Sequence, residues 1–262
     1  MELTWKEYPY KDKTINLTIK EKKIIGLTGN HIEDLLEIIL LKGNKTKIEV
    51  NGKELKEKDF YPTKSKISFV PQFIEDNIHE TTIEEQMIEY MKHNDIYPKN
   101  LKKKCKDALK IVGLEESFLK RNIYTCSSSE KKRIQIALEL LKNPEIIVLE
   151  EPFQVLDIPN KKKIRMVLRR IKDQFEKTII IVSNNPNMLL QETEELIIFK
   201  NDKILAQENT MDCYQRVDFL KKHKIEVPDI IDFVYLAKKN KKAKIDYAKD
   251  IRDLIKDIYK HV

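Results

Sequence analysis

The chain has 262 residues, 41% of them hydrophobic and 35% charged, which allows one large α/β core with insertions or an appendage and excludes wholesale disorder. Its net charge of +7 is spread over interleaved lysines and acids, so composition gives no footprint for nucleic acid, and none is expected as a partner. No apolar run approaches the roughly 18 residues that a membrane span needs, the N-terminal "MELTWKEYPYKDK" has no apolar leader, and a cytoplasmic protein is expected.

Cys105, Cys126 and Cys213 lie far apart with no C-x-x-C pair, a pattern that suggests neither a disulfide framework nor a zinc site. Near the N-terminus, "TINLTIKEKKIIGLTG" alternates and then compacts into "IIGL", as when an edge hairpin leads into a buried central strand. The glycines Gly26 and Gly29 follow, and "IEDLLEIILL" is apolar at helical spacing. "KIEVNGKEL" predicts a hairpin about Asn51 and Gly52, and "KISFVPQF" a strand stopped by Pro71. From Thr82 to about Leu141 the pattern is helical, with a Thr cap at Thr82 and a stop at Gly113.

Strands are predicted at 145–150, 178–183 and 195–206, with the helical stretch "PNKKKIRMVLRRIKDQF" between the first two. Strand, helix, strand in succession implies a right-handed crossover and a parallel sheet. Residues 209–262 read as a separate appendage of three helices, broken at Pro228 and at "KNKKAK".

"VLEEPFQVLD" delivers Glu150 and Glu151 from a buried strand into a turn ending at Asp157. Adjacent carboxylates at a strand end suit phosphoryl transfer, one holding Mg²⁺ and the next polarising water; a strand ending in solvated acids is the bland alternative. "LEEPFQVLD" resembles the Walker B and D-loop of ABC-type ATPases, "CSSSEKKRIQIALELLKNPEIIVLEEP" their signature helix, "FVPQ" their Q-loop and "GLTG" the opening of a Walker A. "VPQFIEDNIHETTIEEQM" and "VDFLKKHKIEVPDIIDFVYLAKKNKKAK" are similar to the Q-loop region and C-terminal extension of the energy-coupling factor (ECF) subfamily.

The resemblance implies an ABC-type P-loop NTPase core over residues 1–208, a mostly parallel sheet plus an antiparallel β subdomain, with a helical subdomain inserted at about 73–141 and a C-terminal helical extension at 209–262. It also implies Mg-ATP as cofactor, Glu151 at the catalytic-glutamate position, Gln72 at the Q-loop glutamine, Glu150 and Gln72 near Mg²⁺, and Asp157 at the D-loop aspartate. Tyr8 or Tyr10 would supply the aromatic ring that stacks on adenine, with surface or core packing as the alternative for each.

A working P-loop reads G-x-x-x-x-G-K-[ST], so that backbone N–H groups, a lysine and a hydroxyl surround the phosphates and Mg²⁺. Here the segment is "GNHIEDLL": Gly29, Asn30 and His31 lead into the helix, and the second glycine, the lysine and the hydroxyl are missing. Counted to Leu35 and Leu36, the loop is three residues shorter than the family pattern. Glu33 and Asp34 are expected to repel a nucleotide, and the local alternative is a plain turn capped by Asn30. Lys42 or Lys45 could replace the missing lysine if the loop rearranged.

The signature "LSGGQ" is replaced by "CSSSE": Ser127 keeps the serine position, while Ser128, Ser129 and Glu130 replace the glycines and glutamine. Asn184 stands at the switch-histidine position and cannot act as a cationic or titratable group. Met87, Tyr90 and Met91, at helical spacing, would line a groove for a membrane subunit or else belong to the core.

The leading expectation is a degenerate ECF-type subunit, paired head to tail with a competent ATPase paralogue and bound to a polytopic membrane subunit for vitamin or metal-ion uptake. Two alternatives stay open: a weak or unconventional ATPase using Glu151 as base, and an interaction protein of ABC origin outside transport.

Overall fold

A computed structural model describes residues 1–43, 46–73, 81–241 and 245–260. Among the described residues ten strands form two sheets. The smaller is antiparallel, ordered β2-β1-β4-β5, from β1 (Leu3–Tyr10), β2 (Lys13–Ile19), β4 (Ile48–Val50) and β5 (Lys53–Glu54). The larger has the order β10-β9-β3-β8-β7-β6, from β3 (Ile24–Gly29), β6 (Ile67–Val70), β7 (Ile146–Glu150), β8 (Thr178–Val182), β9 (Glu195–Lys200) and β10 (Lys203–Asn209). All its neighbours run parallel except the β9–β10 pair.

Turn chemistry fixes two hairpins. Asn51 and Gly52, at φ 50° and 74°, close β4 onto β5, since a two-residue turn matching the strand twist needs positive φ at both positions. Asn201 and Asp202, at 52° and 61°, close β9 onto β10 in the same way. The expected single strand 195–206 is therefore two strands. The reason is that Asn and Asp tolerate the left-handed region, so this polar pair folds the apolar run back on itself.

The larger sheet is buried on both faces. Ile147, Leu149, Ile179 and Ile181 pack on the helical side, while Ile146, Val148, Ile180 and Val182 face the small sheet. Period-two alternation thus divides one apolar run between two cores. Gly26 is small for a packing reason: a Cβ there would come within 3.0 Å of both Leu189 and Leu196 side chains.

Helix α1 (Ile32–Ile39) follows β3, and α2 (Glu57–Lys64), which the periodicity did not suggest, precedes β6. Between β6 and β7 come α3 (Ile83–His93), α4 (Leu101–Ile111), the 3₁₀ turns Glu116–Lys120 and Ile123–Thr125, and α5 (Ser128–Leu140). Thr82 caps α3 through a reciprocal bond pair with Glu85. Met87 and Met91 are fully buried there, so they belong to the core rather than to a groove, and Tyr90 packs half-buried against it.

Helix α6 (Ile158–Phe175) crosses from β7 to β8, and α7 (Pro186–Glu192) follows β8. Beyond β10 lie α8 (Thr210–Gln215), α9 (Val217–Lys222), α10 (Asp229–Lys241) and α11 (Ile251–Lys260). Among the described residues these are four helices where three were expected, because Arg216, at φ −80° and ψ 53°, leaves the helical region and separates α8 from α9. Among the described residues no helix is long and apolar enough to cross a membrane.

A side-chain amide couples the two sheets. The Gln207 Oε1 accepts from the Thr18 backbone N–H at 3.3 Å while its Nε2 donates to the Thr18 carbonyl and, at 2.8 Å, to Glu195.

Candidate functional site

Open parallel sheets present the carboxyl ends of their strands at one edge, and there β3, β7 and β8 bring Gly29, Glu150, Glu151 and Asn184 together. Gly29 has φ +136°, and a Cβ at that position would stand 1.7 Å from the Phe199 carbonyl oxygen, so only glycine fits. The Asn30 N–H donates to that same oxygen at 3.0 Å. His31, left-handed at φ 55° and ψ 42°, occupies the N-cap of α1 without a side-chain capping bond. The expectation that Asn30 caps the helix is thereby corrected: the strand end holds its backbone, and the cap position falls one residue later.

Asp34 does not project free charge. It accepts hydrogen bonds from the Tyr10 hydroxyl and from Lys11 Nζ at 3.1 Å, and Lys11 also reaches Asp202 at 2.8 Å. Tyr10 first and Lys11 next hold the Asp34 carboxyl below its ordinary value. The expected repulsion from two acids thus reduces to Glu33, which has no ion pair among the described residues.

Tyr10 rests edge-on against Phe199, with centroids 6.2 Å apart, and Tyr8 is 3% exposed within the core, so its ring face is covered and not available for stacking. Lys42 lies past the C-terminal end of α1, about 12 Å along the axis from its start, so it does not replace a loop lysine. Lys45 lies outside the described residues.

The carboxylates are fastened differently. Glu150 accepts from the Gln72 backbone N–H at 3.1 Å, and the Gln72 side-chain amide donates to Gln154. Glu151, at φ 40°, accepts from the Ser183 hydroxyl at 2.8 Å and from the Asn184 N–H at 3.2 Å. Asn184 Oδ1 in turn accepts from the Thr28 hydroxyl at 3.1 Å and the Gly29 N–H at 3.3 Å. One side chain therefore ties the end of β8 to the turn after β3.

Sequence reasoning passed over several residues that organise this edge. Lys132 of α5, 9% exposed, donates to the carbonyls of Pro71 and Gln72 at 2.8 Å each. Burial pulls its ammonium down to about 8 against the attraction of Glu150. A cavity of about 230 Å³ opens between Gln72, Lys132, Glu151 and Ser128. Another of about 230 Å³ joins Gly29, Asn30 and Asn184 to Lys224 and Glu226 of the C-terminal segment. The only available signal was the lysine pair inside "EKKR" and the serine beside Asn184.

Ser127 and Asp157 stand apart from the cluster as helix caps. Ser127 and Glu130 exchange bonds at the start of α5, and the Asp157 carboxylate accepts from the Asn160 N–H at 2.9 Å at the start of α6. Burial works against the Glu130 carboxylate, but bonds from Ser127 and Arg121 outweigh it and hold the group below its ordinary value. Among the described residues no group of three or more His, Cys, Asp or Glu side chains could hold a metal ion.

Comparisons with known proteins identify the family and the fold. The family model described as ABC transporter matches residues 13–154. The energy-coupling factor transporter ATP-binding protein EcfA3 of Oenococcus oeni is 28% identical over 222 residues, covering 82% of this chain and 77% of its own. EcfA2 of Enterococcus faecalis is 27% identical over 228 residues, covering 84% and 79%. Among solved structures, cbiO1 from Clostridium perfringens, described as part of the ABC transporter complex cbiONQ, superimposes with a TM-score of 0.72 at 20% identity, over 89% of this chain and 98% of that one. A dimeric ATP-binding cassette in a post-hydrolysis state, bound to ADP and Pi, gives 0.61 at 22% identity, over 80% and 99%. The likeness shows the ABC ATPase, P-loop NTPase fold with its mixed sheets.

Proposed function

This chain belongs to the ABC transporter family, and on that premise we propose that it is an ECF-type ATP-binding subunit whose own nucleotide site is degenerate. In this reading it pairs with a competent ATPase paralogue and binds, on the cytoplasmic face, a polytopic membrane subunit that takes up vitamins or metal ions. The observation that carries the reading is the turn between β3 and α1, which consists of Asn30 and His31 alone. Two residues cannot wrap a phosphate chain in backbone N–H groups, and the turn brings neither lysine nor hydroxyl.

The surroundings do not fit Mg-ATP either. The Thr28 hydroxyl donates to Asn184, Glu33 is the uncompensated charge of the first turn, and Glu150 is held by the Gln72 backbone. Removing one preorganised phosphate contact costs roughly 3 kcal/mol, and several are missing. The Glu151 carboxylate is engaged by Ser183 and Asn184, which weakens the alternative in which it acts as an independent base. Pairing is supported by Val155 and Ile158, 81% and 84% exposed on either side of Asp157. Apolar side chains so bare, one of them left-handed at φ 60°, fit a surface covered by another chain.

The test is calorimetric titration of Mg-ATP into the purified chain, beside a family ATPase with an intact P-loop. No heat is expected up to about 1 mM, where binding corresponds to about 4 kcal/mol. Micromolar binding by the isolated chain overturns the proposal.

A further inference from the structure

A cavity of about 400 Å³ lies on the far side of α5, between the C-terminal end of α4, the turn Gly113–Glu115, and α6. Its size falls in the range of about 300–1,000 Å³ usual for small-molecule sites. Val112, Phe118, Met166 and Val167 give it apolar walls, and Arg133, Lys163 and Arg170 reach its rim against one carboxylate, Glu115.

Arg133 is the unusual member. It is 7% exposed, donates through one terminal nitrogen to the Gly113 carbonyl at 2.8 Å, and its Nε has no partner among the described residues. Its neighbouring carboxylate, Glu130, is committed to Ser127 and Arg121. A buried guanidinium without its own carboxylate is costly, and the natural compensation is an anion. Arg170 donates to the Lys110 and Ile111 carbonyls at 3.0 and 3.1 Å through one nitrogen, leaving the rest of its fork for the cavity. Lys163 is exposed and has no ion pair among the described residues. Glu115 accepts from the Ser117 hydroxyl at 3.4 Å, so the three cations outnumber it.

We propose that this cavity binds a small amphipathic carboxylate, its head against the Arg133 and Arg170 guanidiniums and its apolar body against Phe118 and Met166. The site is separate from the strand-end cluster and does not depend on whether that cluster holds nucleotide. A ligand there touches both the α4–α5 segment and α6. It therefore joins two elements that, among the described residues, Arg170 links by hydrogen bonds across this gap.

The test uses methyl-¹³C-methionine NMR of the full chain, with the Met166 signal assigned by Met166→Leu, and sodium 2-naphthoate as probe. The Met166 methyl should shift saturably with a Kd below about 1 mM, and the uncharged 2-naphthamide should bind at least about tenfold more weakly. Lys163→Glu, on the exposed rim, should weaken 2-naphthoate by a similar factor while the thermal melt stays unchanged. No saturable Met166 shift up to about 5 mM, equal binding of the amide, or full binding by Lys163→Glu would each overturn the proposal.

Discussion

Replacing Lys132 with Met tests the account of the strand-end cluster most directly. The ammonium is buried, and it titrates near 8 in the folded chain against an ordinary value of 10.5. Below pH 8 both folded and unfolded chains hold the proton, and the native state carries the cost of a desolvated charge. Between about 8 and 10.5 the folded chain has released a proton that the unfolded chain keeps, so stability rises with pH. The full rise is about 3 kcal/mol, from roughly 1.4 kcal/mol for each pH interval of one.

Lys132→Met removes this titration together with two hydrogen bonds to the carbonyls of Pro71 and Gln72. Each stranded acceptor costs about 1–3 kcal/mol, which offsets the relief of deleting the charge and leaves a modest net effect near neutral pH. The informative quantity is how the difference between the two proteins changes with pH. Urea unfolding followed by Trp5, the single tryptophan and fully buried in β1, gives that difference at pH 7 and at pH 10.5. The wild-type advantage should grow by about 3 kcal/mol across the interval, while tyrosines and cysteines contribute equally to both proteins and subtract out. A difference that stays flat within about 0.5 kcal/mol refutes the reasoning.

Two further outcomes follow from the same cluster and its neighbouring helix. Gly29→Ala forces a Cβ to within 1.7 Å of a backbone oxygen at a φ of +136°, so it should cost well above 3 kcal/mol and leave little folded protein, read by circular dichroism; a melt like that of wild type would refute the local geometry. Ser127→Ala removes the cap of α5 and should lower stability by about 1 kcal/mol with an unchanged urea slope; no change would mean that Glu130 and Arg121 hold the helix start without it.

Sequence reasoning succeeded where a local rule decides the outcome. Asn51-Gly52 fixes its hairpin, Pro71 follows the end of β6, and the β-branched runs at 146–150 and 178–182 are buried on both faces, as parallel strands are. Gly29 and the short turn after it were legible because the distance from Gly29 to Leu35 and Leu36 could be set beside the P-loop pattern of the family that the sequence resembles. What was not legible depends on contacts between distant segments. Lys132 of α5 pointing inward to the carbonyls after β6, Lys11 of the β1–β2 turn reaching both Asp34 of α1 and Asp202 of the β9–β10 turn, and Ser183 after β8 holding Glu151 after β7 are products of how separate elements lie together. A charge five residues past a capping serine reads as a solvated face until tertiary packing shows otherwise. The split at Asn201-Asp202 had a local signal, and the long apolar run masked it.

The Gln207 amide meets Thr18 as a peptide group of a neighbouring strand would, offering one acceptor and one donor in register, and it is braced from behind by Glu195. Tilting the small sheet away from β10 would break both Thr18 bonds at a single residue, which ties the two sheets into one plate. Lys11, gripping Asp202 from the far end of the β1–β2 hairpin, adds a second rivet. Deformation at the strand ends is then confined to the other margin, where α3, α4 and α5 attach. A force applied to those helices is transmitted to Glu150 through Lys132 and the Gln72 backbone, whereas one applied to the small sheet turns the whole plate and leaves the spacing of the carboxylates as it was.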